Sequence, residues 1–413
     1  MPITGGREVR MFSGVRVVEL AQWVFVPVAG CVLADWGADV VHIEHPTLGD
    51  SYRGLVSQGI QSVNGIDPSM ELANRGKRSM ALNLKAPEGR AILMQLIASA
   101  DIFLTSFLPS SIEHLDLGVD ALRAVNPKLI YARGHGFGIR GPDAGKGAFD
   151  ATAFWARGAL GATLTPEAFS QPVSQRGAFG DRSAAIQLAF GMAAALFRRD
   201  RTGEPSVVDV SLLATAIWTL SSDVLSALQG HFPEAAPAEG VARSKSPNPL
   251  VNNFRTKDGR FLSLVLLQPD RYWLELCRAV DRPDIAVDAR FIDMGVRSEN
   301  RDACVQQFDE TFAARTLDEW CVAFREASFP WAPFLRVPEL IADPQVQANG
   351  YIGEVAISAN ENFRMPTGAV QFDEQTPLLR RGPEHGQDTE LLLSELGFDW
   401  SEIDRLKTEG VIP

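Results

Sequence analysis

The segment Gly177-Ala-Phe-Gly-Asp-Arg-Ser183 carries the strongest chemical signal in the chain. Two glycines bracket a turn, and Asp181 stands where an apolar helix begins, a place that an aspartate fills most simply as an N-cap. The position also permits chemistry. The free N–H groups and positive end of such a helix would keep Asp181 ionised and could stabilise an oxyanion beside it. A carboxylate held that way can attack an activated acyl carbon and form a mixed anhydride. The residues alone leave both readings open.

Other chemistries lack their residues. The six histidines, His42, His45, His114, His135, His231 and His385, make no H-x-x-x-H pair, and no Cys/His cluster has zinc spacing, so no metal site is expected. No G-x-S-x-G elbow or phosphate loop ending in G-K-[ST] occurs. Glu44 ends a second strand, where a dinucleotide fold holds a ribose. The first βα turn, Ala21-Gln-Trp-Val-Phe-Val-Pro27, has no glycine for close approach of a pyrophosphate, so NAD is disfavoured.

The elements that would position Asp181 alternate in type. Val15–Leu20 and Asp39–Glu44 read as strands around a helix over Pro27–Trp36. Strands follow at Arg78–Leu84, Asp101–Thr105, Lys128–Ala132 and Ser206–Val210, with helices opening at Ala86-Pro87-Glu88, over Val119–Val125 and over Asp181–Arg199, and another long helix after the last strand. This alternation predicts an α/β fold: a large, doubly wound Rossmann-like lobe with a mostly parallel sheet. Prolines 233, 237, 247 and 249 mark a linker between His231 and Asn253. Beyond it, an Asp-Gly hairpin over Phe254–Val265 and helices at Asp270–Val280, Asn300–Ala313 and Leu317–Ala327 predict a smaller α/β lobe. Short strands after Asn349, a helix over Asp388–Leu396 and a polar tail complete the reading. The expected division is 1–225, 226–348 and 349–413, the last returning to the large lobe.

A chain of 413 residues is long enough for two such cores. Its net charge of −12, with no run of five basic residues, argues against nucleic acid or an anionic membrane surface as partner. The longest apolar stretch, Leu188–Phe197, is too short to span a bilayer, and Met1–Phe12 has no apolar signal core. Four scattered cysteines make no disulfide framework. A cytoplasmic protein is expected.

The chain resembles the family III CoA-transferases, a group that includes formyl-CoA:oxalate and carnitine CoA-transferases and the related α-methylacyl-CoA racemases. The resemblance runs through Phe12-Ser-Gly-Val-Arg-Val-Val-Glu-Leu, Leu33-Ala-Asp-Trp-Gly-Ala-Asp-Val-Val-His-Ile-Glu-His-Pro, Gly49-Asp50, Asn74-Arg-Gly-Lys-Arg-Ser79, Gly136-Phe-Gly138, Gly180-Asp181 and Thr202–Val210. It continues through Thr256-Lys-Asp-Gly259 and Ala342–Gln347 to Gly410-Val-Ile412, in order over nearly the whole length.

The resemblance implies that Asp181 forms the acyl and CoA adducts, with acyl-CoA and a small carboxylic acid as substrates, no tightly bound cofactor, and a homodimer of interlocked chains. In the racemases the partner base is a His in a Gly-His-Asp motif, where this chain reads Gly147-Ala-Phe-Asp150. Phe149 cannot move a proton, which favours a transferase over a racemase or epimerase. The rivals are an isomerase using another base such as His135 and a non-catalytic acyl-CoA-binding relative. Asn74, Arg75, Lys77 and Arg78 are the expected contacts to the CoA phosphates or adenine-ribose, the bland alternative being a solvated basic turn. Val24 falls at a CoA-binding position, and Gln22, His135, Gly136, Phe149 and Gly180 are candidates to line the substrate. Where several relatives carry a CoA-binding Arg, this chain has His114. Leu55 and the segment Ser244–Leu250 depart from the oxalate-handling subgroup, and Trp23, Phe25, Phe149, Phe154 and Trp155 hint at an apolar acyl pocket, although aromatics of this kind are more often core filler.

Overall fold

The computed structural model describes residues 11–58, 66–166, 169–231, 246–358 and 361–413. They fall into two compact units, one within Met1–Ala162, Val173–Phe232 and Pro344–Pro413, the other within Thr163–Pro172 and Pro233–Asp343.

The first unit begins with β1 (Arg16–Leu20), α1 (Phe25–Asp35), β2 (Asp39–Glu44), a 3-10 helix over Ser51–Gln58, α2 (Pro68–Asn74), β3 (Arg78–Ala81), α3 (Pro87–Ala98) and β4 (Ile102–Thr105). It continues with α4 (Pro109–His114), α5 (Val119–Val125), β5 (Ile130–His135), a π-helical turn over Ala151–Ala156, α6 (Leu160–Leu164), α7 (Phe179–Thr202), β6 (Val207–Ser211), α8 (Leu212–Thr219) and α9 (Ser221–Leu228). All six strands pair in parallel, in the order β3-β2-β1-β4-β5-β6. This is the doubly wound order, and the chain reverses direction of travel between β1 and β4. Successive side chains of a strand alternate between faces, so Val17, Val40, Ile102 and Ile130 pack under α1 and α7, while Val18, Val41, Phe103 and Tyr131 pack under α3 and α5.

The second unit holds an antiparallel sheet of β7 (Val251–Arg255), β8 (Phe261–Val265) and β9 (Trp331–Pro333), ordered β7-β8-β9. Gly259, at φ 75°, makes the turn between β7 and β8. Helices α10 (Pro269–Ala279), α11 (Pro283–Ala286), α12 (Met294–Glu299), α13 (Arg301–Phe312), α14 (Leu317–Ala323) and α15 (Val337–Ala342) complete it. Its core is aromatic, built on Phe254, Trp273, Phe308, Phe312 and Trp320.

The C-terminal segment carries α16 (Pro344–Ala348), the antiparallel pair β10 (Ile352–Ser358) and β11 (Glu361–Pro366), α17 (Thr389–Glu395) and α18 (Trp400–Thr408). Leu392, Leu393, Ile403 and Leu406 join the core beneath α3. Two expectations need correction. The polar tail is the helix α18, started by a capping box between Asp399 and Glu402. The long helix after β6 is interrupted at Leu220, giving α8 and α9. Most of the predicted linker from Pro233 lies outside the described residues, as does Ser244.

Candidate active site

In doubly wound sheets ligands bind beyond the carboxyl ends of the strands, at the switch point. Here that position is flanked by the turn after β1 and the loop after β4, tied by the Gln22 N–H donating to Ser106 Oγ at 3.0 Å, while Ser51 Oγ, from the segment after β2, donates to Gln22 Oε1 at 3.1 Å. Trp23 follows in a left-handed conformation, φ 72°, immediately before α1.

Past β5 the backbone runs through Gly136, where a Cβ would lie 2.4 Å from the Cβ of Ala148. The missing side chain lets the 148–150 segment close over the strand end. Asp150 is thereby brought to the start of α7, and its Oδ2 accepts the Gly180 N–H at 3.1 Å. Gly180 must be a glycine for the same reason, since its Cβ would stand 2.6 Å from Asp150 Oδ1 and 2.2 Å from the Phe154 ring. Both glycines serve the approach of one carboxylate.

Asp181 is the third residue of α7, and Ala178, left-handed at φ 58°, occupies the N-cap without a side-chain cap bond. Asp181 is therefore not the N-cap, and the capping acceptor comes from Asp150. Asp150 also takes a backbone hydrogen bond from Asp181. The N–H groups that the sequence reading left free are thus engaged, and the expectation that they keep Asp181 ionised is reversed. Burial, then the neighbouring charge of Asp150, pushes the Asp181 carboxyl up to about 7, while Arg182 pulls the other way. The guanidinium of Arg182 is held by the carbonyls of Gly177 and Ala178, at 2.8 and 3.3 Å. A half-ionised, poorly solvated carboxylate at neutral pH is a stronger nucleophile than an exposed one.

An aromatic wall flanks this pair. Phe149 is 59% exposed and meets Trp23 edge to face, with ring centroids 5.3 Å apart, so it is not core filler. Trp23 also packs on Tyr52, 6.3 Å away and tilted, and Ala178 joins the small cluster of Val24, Tyr52, Met70 and Ala73. Phe154 is fully buried, and Trp155 donates to the Val173 carbonyl at 2.8 Å.

The remaining candidates sit elsewhere. His135 ends β5, its ring buried with Nε2 3.8 Å from Asp209 Oδ1. Burial, then Arg133, lowers its pKa, which keeps it neutral. His114 is exposed at the end of α4, and Leu55 lies where side chains are outside the description. The basic cluster is paired within the fold. Arg75 grips Asp35 at 2.7–3.2 Å, Lys77 is buried against Glu19 at 2.6 Å, Arg78 pairs with Asp39 and Glu395, and the Asn74 Oδ1 accepts from Lys77 at 2.9 Å. These cations pair with carboxylates of the fold. Glu44, at the ribose position of a dinucleotide fold, is likewise held by Arg53 and Ser79.

Asp150, Arg182 and Tyr52 escaped the sequence reading. The signal for Asp150 was present, since it ends the Gly147-Ala-Phe-Asp150 motif, but its partner lies 30 residues on. Among the described residues no group of three or more His, Cys, Asp or Glu could hold a metal ion, and no helix is long and apolar enough to cross a membrane.

Known proteins agree with this architecture. The chain is 30% identical over 409 residues to (R)-2-hydroxy-4-methylpentanoate CoA-transferase of Clostridioides difficile, covering 97% of this chain and 99% of the relative. It is 31% identical over 402 residues to cinnamoyl-CoA:phenyllactate CoA-transferase of Clostridium sporogenes, covering 97% and 96%. A crystal structure of a CaiB/BaiF family protein from Brucella suis shares the fold with a TM-score of 0.78 at 24% identity, over 94% of this chain and all of that one. The pattern of CoA-transferase family III matches residues 12–389. With the family pattern over residues 12–389 and two CoA-transferases aligned over 97% of its length, the chain belongs to the family III CoA-transferases, and is a transferase.

Proposed function

We propose that the protein moves CoA from an acyl-CoA donor to a carboxylic acid acceptor through Asp181. A carboxylate oxygen of Asp181 attacks the thioester carbonyl, the C–S bond breaks, and CoA thiolate leaves an aspartyl–acyl anhydride. The thiolate then attacks the aspartyl carbonyl, which releases the donor acid and forms an aspartyl-CoA thioester. An acceptor carboxylate attacks that thioester, giving a new anhydride and thiolate, and the thiolate collects the acyl group as the carboxylate of Asp181 is restored. Thioester energy is conserved throughout, so ATP, metal and a tightly bound cofactor are unnecessary. The observation that carries this reading is the half-buried Asp181 at the start of α7, beside Asp150, whose carboxylate accepts the Gly180 N–H at 3.1 Å. Covalent adduct formation by wild type but not by Asp181→Ala tests it.

The edge-to-face pair of Trp23 and Phe149 supports an aromatic or branched acyl group as substrate, as do the cinnamoyl, phenyllactate and 4-methylpentanoate named in the relatives. Gln22 and Val24 line that side of the crevice, with Gly136 and Gly180 shaping its floor. Four free cysteines suit a reducing compartment such as the cytoplasm. A homodimer is supported by apolar side chains left exposed on one stripe of α7, Ile186, Phe190 and Phe197, and on α8 and α9, Trp218, Leu225 and Leu228. Sedimentation of wild type against Phe190→Glu tests the dimer.

A further inference from the structure

Behind the crevice lies a run of charged side chains that the transfer chemistry does not use. Lys77, Glu19, His42 and Asp50 are all buried, and the side chains of Lys77, Glu19 and His42 have no exposed surface. Lys77 Nζ donates to Glu19 Oε1 at 2.6 Å, to the Pro27 carbonyl at 2.8 Å and to Asn74 Oδ1 at 2.9 Å. His42 Nδ1 donates to the same Glu19 oxygen at 2.7 Å, and its Nε2 faces Asp50 Oδ2 at 3.5 Å. Two cations and two anions alternate, which balances charge only when the imidazole is protonated. Burial alone would discharge His42, yet Asp50 and Glu19, opposed by Lys77, raise it to about 9. The fold makes room for the run: a Cβ on Gly30 of α1 would fall 1.8 Å from Glu19 Oε2.

The far end of the run touches the crevice. Asp50 Oδ1 accepts the N–H of Tyr52 at 2.8 Å and the N–H of Trp23 at 3.2 Å. Trp23 has a bulky side chain in the left-handed region, a conformation that persists only when its surroundings impose it. A buried ion network is a poor source of net stability, because desolvation offsets most of its attraction, but it can fix one arrangement among several.

We propose that the buried run Lys77–Glu19–His42–Asp50 is a positioning device that locks the left-handed turn at Trp23, and with it the Trp23–Phe149 wall that receives the acyl group. His42 and Asp50 act through Trp23 and touch no substrate. The kinetic part of the test rests on the transferase reading, and the exchange part does not.

The experiment compares wild type, Asp50→Ala, Asp50→Asn and His42→Gln as full chains, by hydrogen–deuterium exchange and by steady-state kinetics with cinnamoyl-CoA and acetyl-CoA as donors. In Asp50→Ala the peptides over 21–25 and 50–53 are expected to exchange about tenfold faster, as when one hydrogen bond is lost, while α10–α14 are unchanged. The KM for cinnamoyl-CoA is expected to rise about tenfold with kcat within about twofold, and acetyl-CoA to be affected less. Asp50→Asn, which keeps the acceptor oxygen, should restore most of the protection at 21–25. If Asp50→Ala does not fold, His42→Gln is expected to show the same local exchange. Unchanged protection at 21–25 in a folded variant overturns the proposal, as does faster exchange spread over the whole chain. If wild type transfers CoA from no donor, the transferase reading fails, and exchange at 21–25 still decides the positioning role.

Discussion

The Asp150 carboxylate accepts the N–H of Gly180 at 3.1 Å and so stands beside Asp181 as a second negative charge at one helix start. Two carboxylates in such a place do not ionise independently, and the pair titrates together. Adduct formation is therefore expected to rise with pH along a limb near 7. Asp150→Asn removes the like charge and should move that limb down by about one unit, whereas Arg182→Gln should move it up. Pre-steady-state adduct formation between pH 5 and 9 checks both directions.

The same shift makes a stability prediction. The folded pKa of Asp181, about 7, lies above the unfolded value, so the folded state holds a proton that the unfolded chain releases. The stabilising contribution of the protonated form is complete below the unfolded pKa and is lost as pH rises through 7. Asp181→Asn should thus be more stable than wild type at pH 8 by about 1–3 kcal/mol and equal to it near pH 4. Urea unfolding at the two pH values measures the difference.

Gly136 and Gly180 give a steric test. Gly136→Val drives a side chain into Ala148, and Gly180→Ala drives one into the Phe154 ring and Asp150. Each is expected to cost about 1–3 kcal/mol of stability and to slow adduct formation by displacing the start of α7 that carries Asp181. Thermal unfolding with adduct mass spectrometry separates the two effects.

The aromatic wall predicts selectivity. Phe149→Ala removes the edge-to-face partner of Trp23 and should reduce kcat/KM for cinnamoyl-CoA about tenfold while leaving acetyl-CoA within about twofold. Equal losses for both donors would show that Phe149 shapes the site without reading the acyl group.

How much of this was legible follows the range of the interactions. The β-branched runs at Val17-Val18 and Val40-Val41 and the Pro-opened helix α3 announce themselves within a few residues, and so does the Gly177-Ala178 turn that opens α7 ahead of Asp181. The fate of Arg75 and Lys77 was not legible, because Asp35 and Glu19 lie 40 and 58 residues away and a basic turn looks alike whether solvated or buried. The elevation of Asp181 depends in the same way on burial and then on Asp150, neither of which is local in the sequence. Helix α18 is different: the Asp399-Trp-Ser-Glu402 capping box ahead of Ile403 and Leu406 was there to be read, and the surrounding charges masked it.

The most direct test is intact-protein mass spectrometry after brief incubation with cinnamoyl-CoA, 4-methylpentanoyl-CoA and acetyl-CoA, comparing wild type with Asp181→Ala. The account predicts an acyl-sized or CoA-sized adduct on wild type alone, removed by hydroxylamine. An adduct of the same mass on Asp181→Ala, or CoA transfer at an undiminished rate by that variant, would contradict it.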